Sequence, residues 1–353
     1  MKYSIIVPVY NRPDEVDELL QSLTEQELKD FEVVIVEDGS QKPCKDVCDK
    51  FADILDLHYY VKENGGPGQA RNYGAERAHG EWLIILDSDV VLPKGYLKAV
   101  EDGLRGERRE ERGEFAAFGG PDASHPSFTP VQKAISYSMT SFFTTGGIRG
   151  GKKKLDKFYP RSFNMGIRRD VYQQLGGFSK MRFGEDIDFS YRIVEAGYNP
   201  QLIPDAWVWH KRRTDFRKFF RQVYNSGIAR INLEKRHPGT LKLVHLLPMV
   251  FTVGVIALIL IAAVARAMIH YDAANWHTWY WICLLALSPI LFYSLIIFID
   301  SSIKNKSLKV GLLSVPAAFV QLMGYGFGFI ESWWKRCVMK KDEFQAFEKN
   351  FYK

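Results

Sequence analysis

Three short acidic motifs lie within the first 190 residues: Glu37-Asp38-Gly39-Ser40, Asp87-Ser88-Asp89 and Gly184-Glu185-Asp186. Two carboxylates one residue apart at a strand end can reach into one cleft, and hard oxygen ligands of this kind suit Mg²⁺ or Mn²⁺ bridged to phosphates. Asp38 at a neighbouring strand end could accept a hydrogen bond from a nucleobase N–H. Gly65-Gly66-Pro67-Gly68-Gln69-Ala70-Arg71-Asn72 leads into a helix whose first turn offers Arg71 to a diphosphate through charge-assisted bonds. Together these outline a metal and nucleotide site, with the later Glu185-Asp186 pair supplying a separate base. Taken singly each motif has a plainer use: Asp-x-Asp and Glu-Asp-Gly-Ser are good turn chemistry, and an Arg near a helix start is often a surface residue.

The elements that must position these groups follow from the hydrophobic pattern. Tyr3 to Val9, Phe31 to Val36, Leu57 to Val61 and Trp82 to Leu86 read as strands, the last almost wholly apolar as a strand covered on both faces should be. Helical stretches alternate with them, Val16, Leu19, Leu20 and Leu23 marking the first, which implies right-handed crossovers and a mostly parallel α/β sheet. Ligands of such sheets gather beyond the carboxyl ends of the strands, where Asp38 and Asp87 to Asp89 fall. Thr144 to Lys154, rich in glycine and lysine, reads as a loop able to close over an anionic substrate, and Arg105 to Glu114 as a solvated helix or loop.

Composition changes along the 353 residues. After about residue 235 the chain is dominated by apolar runs at 241–265, 279–299 and 311–330. Each is long enough for a helix to cross a hydrocarbon core of about 30 Å, which takes roughly 20 apolar residues. Pro316, Gln321, Gly324, Gly326 and Gly328 weaken the third, whose other reading is a re-entrant or interfacial segment. Basic residues crowd before the first run and in the loop after the second (Lys304, Lys306, Lys309), which puts the head and that loop in the cytoplasm. Three spans would then export Lys335, Arg336, Lys340 and Lys341, against the same rule. Phe216, Phe219, Phe220 and Val223 recur at helical spacing among cations, as in an interfacial helix; a core-facing helix is the other reading.

The expected organisation is therefore a head domain at 1–210, an amphipathic linker helix at 211–240, a membrane region at 241–335 and a tail at 336–353. The opening Met1 to Pro8 is too short an apolar stretch for a secretory signal. The formal charge of +6 suits an anionic membrane surface, and no nucleic-acid motif appears. Cys44, Cys48, Cys283 and Cys337 are too few for a disulfide framework in a chain of this length.

Taken jointly, Ser4 to Asn11, Val33 to Ser40, Gly65 to Asn72, Trp82 to Asp89, Asn164-Met165-Gly166, Gly176-Gly177-Phe178 and Gly184-Glu185-Asp186 resemble glycosyltransferase family 2, in family order and over about residues 1 to 210. The resemblance implies a GT-A fold (Rossmann-like, with a mostly parallel sheet), a nucleotide-sugar donor, Mn²⁺ or Mg²⁺, and inversion by single displacement. By position it makes Asp186 the catalytic base, Asp38 the residue that recognises the donor base, typically uracil, and Arg71 a residue near the diphosphate. It makes Asp87 and Asp89 the metal motif, with Asp89 the stronger candidate, and His210 a further candidate ligand or phosphate contact, a structural histidine being the other reading. It puts Pro8 and Asn164 on the donor side and Glu185 beside the acceptor or in support. One departure matters: processive synthases of the family carry Gln-x-x-Arg-Trp after the base, whereas this chain reads Gln222-Val223-Tyr224-Asn225-Ser226.

The expectation is a multi-pass enzyme of the inner or plasma membrane, its catalytic domain cytoplasmic. It would move one sugar from a nucleotide donor, a UDP-sugar first, to a lipid-linked saccharide or glycolipid in surface glycan synthesis. The rivals are a processive polysaccharide synthase, which the departure opposes, and a catalytically silent nucleotide-sugar-binding scaffold, which the retained Asp87, Asp89 and Asp186 oppose.

Overall fold

The computed structural model describes residues 1–106, 114–125, 127–146, 158–181, 183–344 and 346. The chain divides into two compact units, one holding residues 1–125 and 158–211 and the other 127–146 and 212–346, as far as these are described.

The first unit is built on a seven-stranded sheet. Its strands in chain order are β1 (Tyr3–Val9), β2 (Phe31–Asp38), β3 (Leu57–Lys62) and β4 (Trp82–Leu86), then the two-residue β5 (Val90–Val91), β6 (Ala117–Gly119) and β7 (Asp122–Ala123), and finally β8 (Asn164–Arg168), β9 (Gln201–Leu202) and β10 (Val208–His210). The main sheet runs β3-β2-β1-β4-β8-β6-β9, and β5-β10-β7 form a small second sheet. The four strands expected from the sequence are present and mutually parallel. β8 then runs antiparallel to both β4 and β6, so the sheet is mixed beyond β4. β1, β2 and β4 are apolar on both sides because both faces are covered. One core includes Ile5, Val7, Leu19, Leu20 and Ile84, the other Ile6, Val34, Ile85, Ile167 and Phe189. Each core residue of this size removes enough apolar surface to contribute about 1.5–3 kcal/mol.

The second unit is helical. Pro130–Thr140 and Phe216–Arg236 pack with Leu308–Trp333, and Leu247–Tyr271 and Trp276–Asn305 complete it. Three segments, Leu243–Tyr271, Trp276–Asn305 and Leu308–Val338, are long and apolar enough to cross a membrane. Two sequence expectations change here. The expected head contributes 127–146 to the helical unit, where Ile135 and Met139 share an apolar cluster with Phe219, Val223 and Val320. The Phe216–Arg236 helix is thus core-facing along Phe219 and Val223, both buried. Of the expected lid, residues 147–154 lie outside the described residues, as do 107–113 of the expected charged loop and all of 347–353.

Candidate active site

Everything that follows belongs to the first unit. β4 ends at Leu86, so Asp87 and Asp89 stand at the carboxyl end of a central parallel strand, as the buried run before them requires. β10 pairs antiparallel with β5, setting His210 opposite Val90 and drawing it beside Asp89. Ligand atoms of Asp87, Asp89 and His210 all lie within 4.8 Å of one another, and His210 Nε2 is 3.3 Å from Asp89 Oδ1. Phe163 stacks on the imidazole at 5.0 Å between centroids.

The donor set fits a divalent cation. Two carboxylates and an imidazole form a mixed oxygen and nitrogen set, suited to Mn²⁺ and tolerable for Mg²⁺. His210 Nδ1 is buried and makes no hydrogen bond among the described residues, which leaves that nitrogen's lone pair available if the ring's proton sits on Nε2.

Arg71 is only 3% exposed. Its Nη2 donates to Asp87 Oδ1 at 2.7 Å and its Nη1 to Glu185 Oε1 at 3.0 Å, while the guanidinium lies 5.2 Å above the Phe178 ring. Each terminal nitrogen is engaged by a carboxylate, so Arg71, expected near the diphosphate, ties Asp87 to Glu185. The helix Pro67–Ala75 that carries it also fixes the segment before Glu185. Asn72 accepts from Tyr172 Oη and Phe178 N and donates to Phe178 O.

Gly184 adopts φ +85, a left-handed conformation that glycine takes without steric cost, and the helix Glu185–Glu195 starts immediately after it. Glu185, Asp186 and Asp188 fill its first turn, where the helix dipole favours negative charge. Arg161 Nε donates to Asp186 Oδ2 at 2.6 Å, and Ile187 N donates to Oδ1 at 2.9 Å. Burial alone would raise Asp186, but Arg161 and these hydrogen bonds hold its carboxyl below the usual value. Glu185 goes the other way: burial pushes it up to about 7, with Arg71 opposing and Asp186 adding to the rise. Adjacent carboxylates thus sit in opposite protonation regimes. Asp188 pairs with Arg192 one turn on, as expected of a residue serving its own helix.

Asp38 is 4% exposed at the end of β2. Oδ1 accepts from Gly65 N and Lys62 Nζ, and Oδ2 from Gly66 N, each at 2.8 Å. A carboxylate offers about four acceptor sites, so one on Oδ2 remains. Glu37, its neighbour in the motif, faces the other way and accepts from Cys44 N, Tyr59 Oη and Ser40 Oγ, which makes it a structural staple. Pro8 is half-buried near the carboxyl end of β1, paired in register with Val36.

Asn164 is corrected outright. Its side chain is fully buried, accepting from Tyr96 Oη at 2.6 Å and donating to Ala206 O at 2.8 Å, so it belongs to the core and does not face a sugar. Sequence reasoning missed Arg161 as the partner of Asp186 and Phe163 as the platform for His210. A signal for the first was present, since Arg161 is a lone cation in Phe158-Tyr159-Pro160-Arg161-Ser162-Phe163.

Residues 4–176 match the Glycosyl transferase family 2 model. The chain is 39% identical over 102 residues to poly(ribitol-phosphate) beta-N-acetylglucosaminyltransferase TarS of Staphylococcus aureus, a match covering 28% of this chain and only 18% of TarS. It is 26% identical over 240 residues to glycosyltransferase AglE of Haloferax volcanii, covering 65% of this chain and 73% of AglE. Among solved structures it is similar to mannosyltransferase PcManGT of Pyrobaculum calidifontis, solved with GDP-Man and Mn²⁺. That likeness has a TM-score of 0.55 at 16% identity, covering 95% of this chain and 88% of the other, and is one of fold.

Proposed function

This chain belongs to glycosyl transferase family 2 through residues 4–176, and from that premise we propose that it is an inverting, non-processive glycosyltransferase. It takes a nucleotide sugar, a UDP-sugar in the first instance, and glycosylates a lipid-linked saccharide or glycolipid in surface glycan synthesis. The observation that carries this reading is the convergence of Asp87, Asp89 and His210 within 4.8 Å, joined through Arg71 to the Glu185-Asp186 pair.

Displacing a diphosphate from a sugar carbon requires charge stabilisation on the leaving side and a proton acceptor on the other. Asp87, Asp89 and His210 would hold a divalent cation, which when bound offsets the negative charge growing on the diphosphate. Arg71 keeps Asp87 aimed. Asp38, with one acceptor site left, can take the N–H of a donor base. Asp186 accepts the acceptor hydroxyl's proton. Because Arg161 and Ile187 N keep it ionised and oriented, it takes that proton late, as the new bond acidifies the hydroxyl.

Three helices long and apolar enough to cross a membrane support the lipid acceptor. Holding the enzyme at a bilayer confines its search to acceptors in the same surface and raises their effective concentration. By the distribution of cations around the apolar runs, the catalytic domain lies on the cytoplasmic side.

The test uses the full chain in detergent with Mn²⁺ or Mg²⁺, screening UDP-, GDP- and dTDP-sugars for nucleotide release with and without a polyprenyl-linked acceptor extract. Metal-dependent release of one nucleotide, increased by the lipid acceptor, is the expected result. Binding of a nucleotide sugar with no release from any donor would replace the enzyme by a silent scaffold.

A further inference from the structure

The membrane reading leaves one conflict: three spans would put Lys335, Arg336, Lys340 and Lys341 on the face opposite the other cations. The packing of the helical unit removes it. Leu247–Tyr271 and Trp276–Asn305 are joined by four residues and pack as an antiparallel pair, with the Phe251 and Tyr293 rings 5.2 Å apart. Leu247 and Asn305 therefore lie toward one end of the pair, the entry side.

Leu308–Trp333 starts on that side and does not leave it. Ser314 Oγ lies 2.7 Å from Ser301 Oγ, and the Phe319 ring lies 5.6 Å from Phe251 and 5.8 Å from Tyr293. By Gly326 the helix has reached Pro248, at the first turn of the first span, where an added Cβ would meet Pro248 O at 2.6 Å. Eighteen residues of helix from Leu308 advance about 27 Å, so a true span would have carried Gly326 well past the middle of the pair, toward Tyr271 and Trp276. Instead it crosses the near ends.

A second observation agrees. From Val320 to Ser332 this helix lies against Phe216–Arg236: Gly324 abuts Val223 and Phe220, Gly227 abuts the Tyr325 carbonyl, and Ser332 Oγ donates to Ile228 O at 3.2 Å. That partner carries Arg217, Lys218, Arg221, Arg230, Lys235 and Arg236. Each such charge costs about 2.5–3.5 kcal/mol at the centre of a bilayer, so neither helix of the packed pair lies at that depth. The residues that follow rejoin the same basic helix: Arg236 donates to Glu343 at 2.8 Å and Ala346 N to Asn225 Oδ1 at 3.0 Å.

We propose that Leu308–Trp333 is a membrane-surface helix, that only two of the described helices cross, and that residues 334–344 stay on the entry side. Its partner is the boundary between headgroups and acyl chains, to which exposed Leu308, Leu312, Trp333 and Trp334 present apolar and aromatic surface. All the basic clusters then share one face. The inference rests on the membrane reading but not on the enzyme reading, which the nucleotide-release screen tests separately.

The experiment labels the full chain in sealed vesicles of one orientation with a membrane-impermeant maleimide. Cys337, exposed in the structure, is read in a Cys283→Ser chain, while Lys235→Cys and Asn275→Cys are read singly with both Cys283 and Cys337 replaced by Ser. Cys337 labelling together with Lys235→Cys, and Asn275→Cys only after the bilayer is opened or from the other orientation, is expected. Cys337 labelling together with Asn275→Cys, or all three labelling from one face, would overturn the proposal.

Discussion

Arg161 is the residue on which the protonation of the proposed base depends. Without its guanidinium 2.6 Å from Asp186, burial would dominate and raise the carboxyl. Arg161→Met should therefore shift the acid limb of the pH profile of kcat/KM upward, with Arg161→Lys restoring part of it; an unmoved limb would reduce Arg161 to a structural role. Asp186→Asn removes the proposed proton acceptor itself and should lower turnover by about 100-fold or more while donor binding, followed by calorimetry, is retained. Glu185 provides a test in stability. Its folded value of about 7 lies above the ordinary 4.5, so its contribution is fully present below 4.5 and is lost as pH rises through 7. The difference in melting temperature between wild type and Glu185→Gln should accordingly move against the wild type between pH 4.5 and 7, and a pH-independent difference would contradict the assignment.

At the scale of elements, close approach explains what composition suggested was weakness. Gly324, Gly326 and Gly328 looked like flaws in a span, but Gly324 and Gly328 share one face four residues apart, Gly324 admitting the Val223 and Phe220 side chains and Gly328 the Tyr224 backbone of the Phe216–Arg236 helix, while Gly326 admits the start of the first span. Gly227 meets the same interface from the other helix, where a Cβ would collide with Tyr325 O and lie 2.8 Å from Phe329 N, both backbone atoms that cannot swing aside. Gly227→Ala should cost about 1–3 kcal/mol in detergent unfolding. Gly254→Ala, with nothing within 4 Å of the new Cβ, should leave stability unchanged or raised. Equal behaviour of the two variants would refute the packing account. The parallel strands and their terminal acids were legible because a strand buried on both faces is apolar throughout and ends abruptly, as Trp82 to Leu86 does before Asp87. The destination of Arg71, the burial of Asn164 and the face of the Phe216–Arg236 helix were not, because each is decided by partners distant in sequence: Glu185, Tyr96 and Val320.

At the scale of the whole molecule, the boundary expected near residue 210 does not separate a self-sufficient head from its anchor. Residues 127–146, inside the stretch expected to be catalytic, belong to the helical unit. Ala134 and Ile135 are fully buried there, Ala134 with Val310 and Ala317, Ile135 with Phe219 and Val223. Tyr137 Oη donates to Asp300 at 2.6 Å and shares a cluster with Ile297 and Ala318. A chain ending at Lys211 keeps the Pro130–Thr140 helix and loses every one of those partners. Uncovering Ile135, Tyr137 and Met139 forfeits about 1.5–3 kcal/mol for each large side chain and leaves one contiguous apolar face. Such a chain should run as aggregates in size-exclusion chromatography without detergent, and replacing Ile135 and Met139 with Gln in it should recover much of the soluble fraction. A monodisperse, soluble chain ending at Lys211 would show that this helix does not need the second unit to cover it. The position of 127–146 also means that the chain passes from the first unit into the helical unit and back before Arg212, so the two units cannot be cut apart at a single point.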